Sequence, residues 1–264
     1  MAMLKAHNLY QRLIEGLRGG SPQHKSTQAG LGEVWVVADT NWSKLISPSE
    51  METMGAICPP RPYRKNELIY RSGDAAESLY IVLEGSVKLS MSAVAGRERI
   101  VAVCGPDDFF GESFLTGARV RKSEAICLSD RTVVCPITKA QFLEVSQQVP
   151  AVAVSFAGVL AERVQTLEQQ LELMTLPTQA RLGRCLILLA QRFGTQVSPG
   201  VMSLSLGLKH EDLASLAATT RVSATQAMSQ WRALGLVDGT RGEYTVNVVG
   251  LERLVEGLVL EHLH

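Results

Sequence analysis

Residues 150–175, PAVAVSFAGVLAERVQTLEQQLELMT, separate a part of the chain rich in strand patterns from a part rich in short helical patterns. Apolar residues recur here at intervals of four and three, which is the spacing of a coiled-coil seam, and the pattern holds for about three heptads. The seam consists of Ala153, Ala157, Leu160, Val164, Leu167, Leu171 and Met174. We therefore predict a long helix that pairs with a partner helix in a homodimer. The alternative is a long core helix in a monomer.

A second stripe on the same helix lies to one side of the seam. It consists of Phe156, Val159, Arg163 and Thr166, which are again three or four residues apart. Residues with this spacing share one face of a helix. We expect this face to cover a neighbouring domain.

The composition sets loose bounds on structure and partners. The chain has 264 residues, 46% of them hydrophobic, and a formal net charge of +0. This length suits two modest domains with real cores, and the balanced charge points to no strongly electrostatic partner. No apolar run approaches the roughly 20 residues that a membrane span needs, and the N-terminus lacks a signal-peptide pattern. We expect a cytoplasmic protein with no membrane contact.

The cysteines favour neither a disulfide framework nor a metal site. They are Cys58, Cys104, Cys127, Cys135 and Cys185, an odd and scattered set without a C-x-x-C pair. This argues against disulfides, zinc and iron–sulfur clusters, so we expect no metal and a reducing compartment. Cys104, Cys127 and Cys135 fall in or beside strand patterns, where a free cysteine behaves as a small buried hydrophobe.

The chain divides into four predicted parts. Residues 1–40 are a mobile N-terminal extension, and residues 41–149 form a β-rich domain whose short strands, between Pro62 and Pro136, are separated by glycine turns. Many short antiparallel strands indicate a jelly roll or a similar barrel. Residues 150–176 form the long helix and a hinge, and residues 177–264 form a second domain.

One segment of the β-rich domain is crowded with charge. FFGESFLTGARVRKSEA, residues 109–125, places a glycine and Glu112 before a short helix-prone turn and Arg121 after it. Free N–H groups at a helix start and a guanidinium match a phosphate, while a carboxylate can accept hydrogen bonds from sugar hydroxyls. This pattern suggests an anion pocket. The alternative is a basic, solvated barrel rim.

The segment LKHEDLASLAATTRVSATQAMSQWRALGLVD, residues 208–238, has the spacing of a helix-turn-helix. Thr220 can cap the second helix, whose Ala224, Ala227, Met228 and Trp231 share one face. The opposite face can contact base edges, and a predicted two-stranded wing follows, in which Arg241 can meet phosphate. The predicted DNA-contacting residues are Thr220, Arg221, Val222, Thr225, Gln226, Ser229 and Arg241. The alternative is a helical hairpin that never binds DNA.

The order RSGD…LYIVLEGSVKL…DDFFGES, a long helix and a terminal helix-turn-helix resembles the cyclic-AMP receptor protein and FNR family of bacterial transcription regulators. The resemblance runs from about Trp42 to the end. It implies an α+β fold, made of a cyclic-nucleotide-binding β roll, a dimerisation helix and a winged helix-turn-helix.

The same resemblance implies a ligand site. Gly111 and Glu112 match the family's Gly-Glu pair, in which the carboxylate holds the ribose, and Arg121 matches the phosphate-binding arginine. Lys122 stands where nucleotide binders usually have serine, and Ser123 follows one residue later. Thr166 lies within about one residue of the family's adenine-contacting threonine.

The resemblance implies a homodimeric activator that binds a pseudo-palindromic DNA site, responds to cyclic AMP and recruits RNA polymerase. Lys122 leaves open a regulator that is active without ligand. A cyclic-nucleotide-binding regulatory subunit is the alternative from another class, and no nucleophile and base at a recognisable spacing suggest an enzyme. Two departures stand out: Ala218 occupies a turn position where glycine is common, and Val222 replaces an acidic base-contacting residue, so we expect a different operator.

Overall fold

The structure is a computed structural model that describes residues 55–92, 98–240 and 242–263. The predicted N-terminal extension of residues 1–40 and the wing residue Arg241 lie outside the described residues. The backbone of the long helix is described throughout, but the side chains of Thr166 and Leu171 lie outside the described set.

The β-rich domain consists of two four-stranded antiparallel sheets, which confirms the predicted β roll. Their strands are β1 (Arg61–Arg64), β2 (Leu68–Tyr70), β3 (Ser78–Glu84), β4 (Val87–Ser92), β5 (Glu98–Cys104), β6 (Phe109–Phe110), β7 (Glu124–Cys127) and β8 (Arg131–Thr138). One sheet has the order β1-β8-β3-β6 and the other β2-β7-β4-β5. As predicted, the strands are short and nearly all of them lie between Pro62 and Pro136.

Strand β3 shows how the alternating pattern builds two cores. Leu79 and Ile81 belong to a cluster that faces the helices, whereas Val82 packs with residues of the second sheet such as Val87. Successive side chains of a strand point to opposite faces, so one strand contributes to both layers. The first sheet is therefore covered on both sides.

Two helices cover the outer face of this sheet. Helix α1 (Lys139–Gln148) begins at a capping box made by Thr138 and Gln141, and helix α2 (Pro150–Leu173) follows after a sharp bend. Phe156 of α2 is buried and meets Phe109 edge to face, with 5.5 Å between ring centroids. The second stripe of the long helix covers the β roll, as predicted.

The C-terminal domain is a winged helix-turn-helix, again as predicted. Its elements are α3 (Thr178–Phe193), β9 (Thr195–Ser198), β10 (Val201–Ser205), α4 (His210–Leu216), α5 (Arg221–Ala233), β11 (Val237–Thr240), β12 (Glu243–Asn247) and α6 (Val248–Leu263). The strands form one sheet in the order β11-β12-β10-β9. Helix α6, which the sequence pattern did not indicate, packs on α3 through residues such as Leu251 and Val255.

The cysteines require one correction. The structure pairs Cys58 with Cys135 in a disulfide, with 5.6 Å between their Cα atoms, a separation that a disulfide spans. The expectation of no disulfide was wrong for this pair, because its members are 77 residues apart and the sequence gives no local signal. Cys104 and Cys127 are free and buried, as predicted.

Within the described residues, no single helix has the length and hydropathy of a membrane span. The bent pair Lys139–Gln148 and Pro150–Gln165 reaches these limits together, by length and composition alone. The described residues also contain no group of three or more His, Cys, Asp or Glu side chains placed to hold a metal ion.

Candidate functional site

The predicted anion pocket is built on a 3-10 helix, Glu112–Thr116, that links β6 to the next strand. Gly111 and Gly117 flank it, and both have the left-handed backbone conformation that favours glycine. A Cβ atom on Gly111 would lie 2.9 Å from Nη1 of Arg121 and 3.1 Å from the Tyr80 ring. Glycine at this position therefore lets the arginine approach the loop.

Arg121 is folded into the β roll. Its side chain is part of a residue only 3% exposed, and its two terminal nitrogens donate hydrogen bonds to the carbonyl oxygens of Gly111 and Ser78. The guanidinium lies over the Tyr70 ring, 4.5 Å from its centroid, in a cation–π contact. Among the described residues its Nε–H has no hydrogen-bond partner. The predicted phosphate ligand is thus held by the protein's own groups, with one donor left over.

Glu112 is also occupied. Its Oε1 accepts a hydrogen bond of 2.6 Å from Nη1 of Arg163 on α2, and the same guanidinium donates to the Phe109 carbonyl oxygen. Arg163 was part of the predicted covering stripe, but sequence spacing did not indicate this ion pair. It connects the pocket loop directly to the predicted dimerisation helix.

The remaining predicted ligand residues differ in position. Lys122 is exposed, whereas Ser123 is partly buried and its Oγ lies 3.4 Å from the Tyr70 hydroxyl. Burial raises the pKa of Tyr70 to about 12, so this hydroxyl stays protonated. Together these residues provide a buried guanidinium, a carboxylate and a hydroxyl, which are the functional groups that can bind the phosphate and the ribose of a cyclic nucleotide. A bound nucleotide would have to exchange places with the present partners of Arg121 and Glu112.

An ion pair that the sequence did not indicate joins the two domains. Asp108, which is 3% exposed and directly precedes β6, accepts hydrogen bonds of 2.6 Å from the Gly105 amide and from Nη2 of Arg192 on α3. Burial raises the pKa of Asp108 to about 6, although the charge of Arg192 opposes this shift. The pair lies four residues before Glu112, so it is close to the pocket loop along the chain.

A second polar contact between the domains lies nearby. Lys88 of β4 forms ion pairs with Glu98, at 2.9 Å, and with Asp212 of α4, at 3.3 Å. Burial alone would lower the pKa of Lys88, but its hydrogen bond to Glu98 and the charge of Asp212 raise the pKa overall. The Ile100 amide donates to Ser215 Oγ on α4 at 2.8 Å. The first helix of the helix-turn-helix is therefore docked against the β roll.

The recognition helix α5 begins as the sequence predicted. Thr220 caps it, with its Oγ1 accepting a hydrogen bond of 3.1 Å from the Ser223 amide. Ala218 in the preceding turn has a φ of 49°. This confirms that the turn requires a left-handed residue, at a cost of about 1 kcal/mol relative to glycine.

The predicted base-contacting face is open to solvent. Ala224, Ala227, Met228 and Trp231 are buried on the opposite face. The predicted contact residues Arg221, Val222, Thr225, Gln226 and Ser229 are exposed, Val222 by 66%. Arg221 forms no ion pair with any described residue at the distances that define the other pairs, whereas Ser229 donates to the Thr225 carbonyl at 2.9 Å. This face therefore offers a cation, an amide, a hydroxyl and an apolar group side by side.

The predicted dimer seam is likewise uncovered. Leu160, Val164 and Leu167 of α2 are exposed apolar residues, with Leu167 42% exposed, and Met174, directly after the helix, is exposed as well. The side chain of another seam residue, Leu171, lies outside the described set. Exposed large apolar side chains in a row are typical of a surface that binds another protein.

Two family models match the chain. Residues 60–149 match the cyclic nucleotide-binding domain, and residues 180–256 match the Crp-like helix-turn-helix domain. The two matches correspond to the β roll with α1 and to the domain that contains α4 and α5. Together they cover the pocket loop of the β roll and the exposed face of α5.

Individual proteins are similar to this chain over most of its length. The chain is 27% identical to the cyclic AMP receptor protein of Thermus thermophilus over 216 residues, 81% of this chain and 95% of that protein. It is 26% identical over 193 residues to a CRP-like cAMP-activated global transcriptional regulator of Mycobacterium tuberculosis, covering 73% and 85% of the two chains. A solved CRP-family transcriptional regulator, also from Thermus thermophilus, matches with a TM-score of 0.61 and 26% identity, covering 75% and 98%.

Proposed function

Because the chain belongs to the cyclic-AMP receptor protein and FNR family of transcription regulators, we propose that it binds a pseudo-palindromic DNA site as a homodimer. The observation that carries this proposal is the exposed polar face of α5, opposite a fully buried apolar face. In a helix-turn-helix protein this arrangement presents the second helix to the major groove. The relatives are transcription regulators, and we propose no enzymatic role.

Each exposed side chain of α5 suits a particular base contact. Arg221, at the N-terminal end, can donate two hydrogen bonds to guanine O6 and N7, and Gln226 can pair with adenine N6 and N7. Val222 favours a thymine methyl, and Thr225 can offer its hydroxyl. Thr220 and Ser229 border this face, while Arg241 of the wing is proposed to contact phosphate, which positions the protein without selecting a sequence.

Dimerisation follows from the exposed seam of α2. Leu160, Val164 and Leu167 are apolar and uncovered in the single chain, and pairing with a second copy would remove them from water. A two-fold dimer places its recognition helices about 34–36 Å apart, in successive major grooves. Since the formal net charge of the chain is +0, specific affinity depends on both half-sites rather than on general attraction to phosphate.

We propose cyclic AMP as the ligand of the β roll. Glu112 would accept hydrogen bonds from the ribose, while Arg121, Lys122 and Ser123 would surround the phosphate and Thr166 would meet the adenine. Arg121 would exchange the carbonyl oxygens of Gly111 and Ser78 for phosphate oxygens, using its unpartnered Nε–H as well. This exchange of partners is favourable because a hydrogen bond between two charged groups is stronger than one to a neutral carbonyl oxygen.

A regulator that acts without ligand is the second candidate, and one observation favours it. Both terminal nitrogens of Arg121 and one carboxylate oxygen of Glu112 already have partners within the protein. A cyclic-nucleotide-binding regulatory subunit is less well supported, because such a subunit would have no use for the helix-turn-helix domain. In keeping with the family, we further propose that the protein acts in the cytoplasm as an activator that recruits RNA polymerase.

Two measurements test these proposals. Selection of random duplex DNA with the full chain should recover an inverted repeat whose half-sites lie one helical turn apart. Failure to enrich any sequence would contradict the DNA-binding proposal. Calorimetric titration with cyclic AMP and with cyclic GMP should show heat only, or more strongly, with cyclic AMP, and absence of heat with both would favour the ligand-free regulator.

A further inference from the structure

His210 contacts the recognition helix from outside it. His210 is the first residue of α4, and its Nδ1 lies 3.2 Å from Thr225 Oγ1 on the exposed face of α5. On its other side the imidazole is nearly parallel to the Tyr244 ring, with an interplanar angle of 20° and 6.3 Å between ring centroids. The sequence analysis assigned no function to this histidine.

The support behind the imidazole is rigid. Tyr244 belongs to β12 of the wing and is buried, and its hydroxyl donates a hydrogen bond of 3.0 Å to the Leu208 carbonyl oxygen. Its strand is paired on both sides, with β10 and with β11. A ring held in this way keeps His210 beside Thr225, so the hydroxyl of Thr225 has a fixed neighbour.

The protonation of the two ring nitrogens of His210 decides whether the Thr225 hydroxyl can accept a hydrogen bond from a base or donate one to it. A hydroxyl has one donor hydrogen and two acceptor lone pairs. A neutral imidazole protonated on Nε2 accepts the Thr225 hydrogen at Nδ1, which leaves the oxygen to accept from a base. A doubly protonated imidazole donates from Nδ1 to the oxygen, which leaves the Thr225 hydrogen free to donate.

The surroundings of His210 favour the neutral state. The charged groups that face the ring are Arg232 and Arg221, both on α5, while β12 contributes the Tyr244 ring. Burial, followed by the charges of these two arginines, lowers the pKa of His210 below its usual range. A neutral imidazole that carries its hydrogen on Nε2 makes Thr225 an acceptor. The amino groups of adenine N6 and cytosine N4 are the base donors in the major groove.

We propose that His210, neutral and with its hydrogen on Nε2, is a positioning residue for DNA recognition. Its Nδ1 accepts the Thr225 hydroxyl hydrogen and so orients this hydroxyl to accept a hydrogen bond from an adenine or cytosine amino group. This inference rests on the proposed function, since it needs α5 in the major groove. It adds a determinant of base preference from outside the recognition helix. It also makes that preference dependent on pH at one position of each half-site.

The test is a binding selection with matched variants of the full chain. With the wild type near pH 7.5, the position facing Thr225 should prefer adenine or cytosine, and His210→Ala should reduce that preference roughly fivefold, the value of one hydrogen bond. The other positions should be unaffected. In a Thr225→Val background, which removes the hydroxyl, His210→Ala should have no effect on base preference.

His210→Asn separates positioning from general stability. Its side-chain oxygen can replace Nδ1 as an acceptor without titrating, so this variant should keep the wild-type preference and should not respond to pH. The wild type should instead shift towards guanine or thymine on acidification, once the pH falls below the lowered pKa of His210.

The outcomes distinguish two failures. An unchanged preference at this position in His210→Ala near pH 7.5 would overturn the inference alone, and so would a His210→Asn preference that shifts on acidification as the wild type does. The inference would also be overturned if His210→Ala reduced the base preference equally in the Thr225→Val background. If the wild type selected no DNA sequence at all, the proposed function would fail and this inference with it.

Discussion

Replacing Arg192 with methionine should loosen the contact between the β roll and the helix-turn-helix domain. The change leaves the Asp108 carboxylate, which is 3% exposed, with the Gly105 amide as its remaining hydrogen-bond donor among those described above. Removing one partner of a buried ion pair costs about 3–5 kcal/mol. Because burial raises the pKa of Asp108 to about 6, the carboxyl can become protonated at modest expense. We therefore expect a loss of about 2–3 kcal/mol at pH 7.

This loss should fall on domain docking rather than on the folding of either domain, since undocking returns Asp108 to water. The Ile100 amide reports on docking because it donates to Ser215 Oγ of α4. Hydrogen exchange of this amide should accelerate by about 30- to 150-fold, as each factor of ten corresponds to about 1.4 kcal/mol.

Arg131→Met is the matched control. Arg131 pairs with Glu84 at 3.5 Å, but both side chains are about half exposed, so its loss should change exchange at Ile100 little. Unaltered protection of the Ile100 amide in Arg192→Met, with both variants folded, would refute the reasoning that the Asp108–Arg192 pair holds the domains together.

Three further predictions concern the seam, the pocket and the pH. Leu167→Glu should produce monomers in sedimentation, because pairing would bury like charges at a cost of several kcal/mol, whereas Leu143→Glu, at an exposed position of α1, should not. A tight Leu167→Glu dimer would show that α2 does not form the interface. Arg121→Ala should weaken cyclic AMP binding by about 2 kcal/mol in calorimetry, and Lys122→Ser should strengthen it. Because the folded-state pKa of Asp108 is raised to about 6, its stabilising contribution is present below about pH 4 and lost as the pH rises through about 6. The melting temperature of the wild type relative to Asp108→Asn should therefore increase on acidification, and a constant difference would contradict the raised pKa.

Local patterns predicted the elements of the fold well. The spacing of Ala224, Ala227, Met228 and Trp231 indicated the buried face of α5, and the structure buries all four. The left-handed conformation of Ala218 followed from its place in the turn. These features depend on residues that are close in the sequence, so helical and turn geometry suffices to predict them.

Contacts between distant residues could not be predicted in this way. Asp108 and Arg192 are 84 residues apart, and Cys58 and Cys135 are 77 apart. Their pairing depends on how sheets and domains pack, which hydrophobic periodicity does not specify. The inward fold of Arg121 has the same origin, because the groups that hold it are distant in the sequence or in another loop. The Ser78 carbonyl oxygen and the Tyr70 ring lie on β3 and β2, and the Gly111 carbonyl oxygen lies just before the 3-10 helix.

The pocket residues remain proposals for a related reason. The resemblance placed Glu112 and Arg121 at the ligand, and the structure brings both to the same loop, yet each is engaged by another part of the protein. Arg163 is the residue that sequence reasoning most clearly missed. Its position on the covering face of α2 was recognised, but a charged residue in an apolar stripe is itself a signal of a partner beneath it.

The base-contacting role of α5 is the central claim, and one variant tests it most directly. Arg221→Ala should lower affinity for the selected site by roughly 1–3 kcal/mol and relax the preference at one position of each half-site. Arg253→Ala removes an exposed arginine from α6 and should leave the selected sequence unchanged, whereas Arg241→Ala should weaken all sequences alike and reduce the salt dependence. If Arg221→Ala selects the wild-type site with the wild-type affinity, α5 is not the helix that contacts the bases.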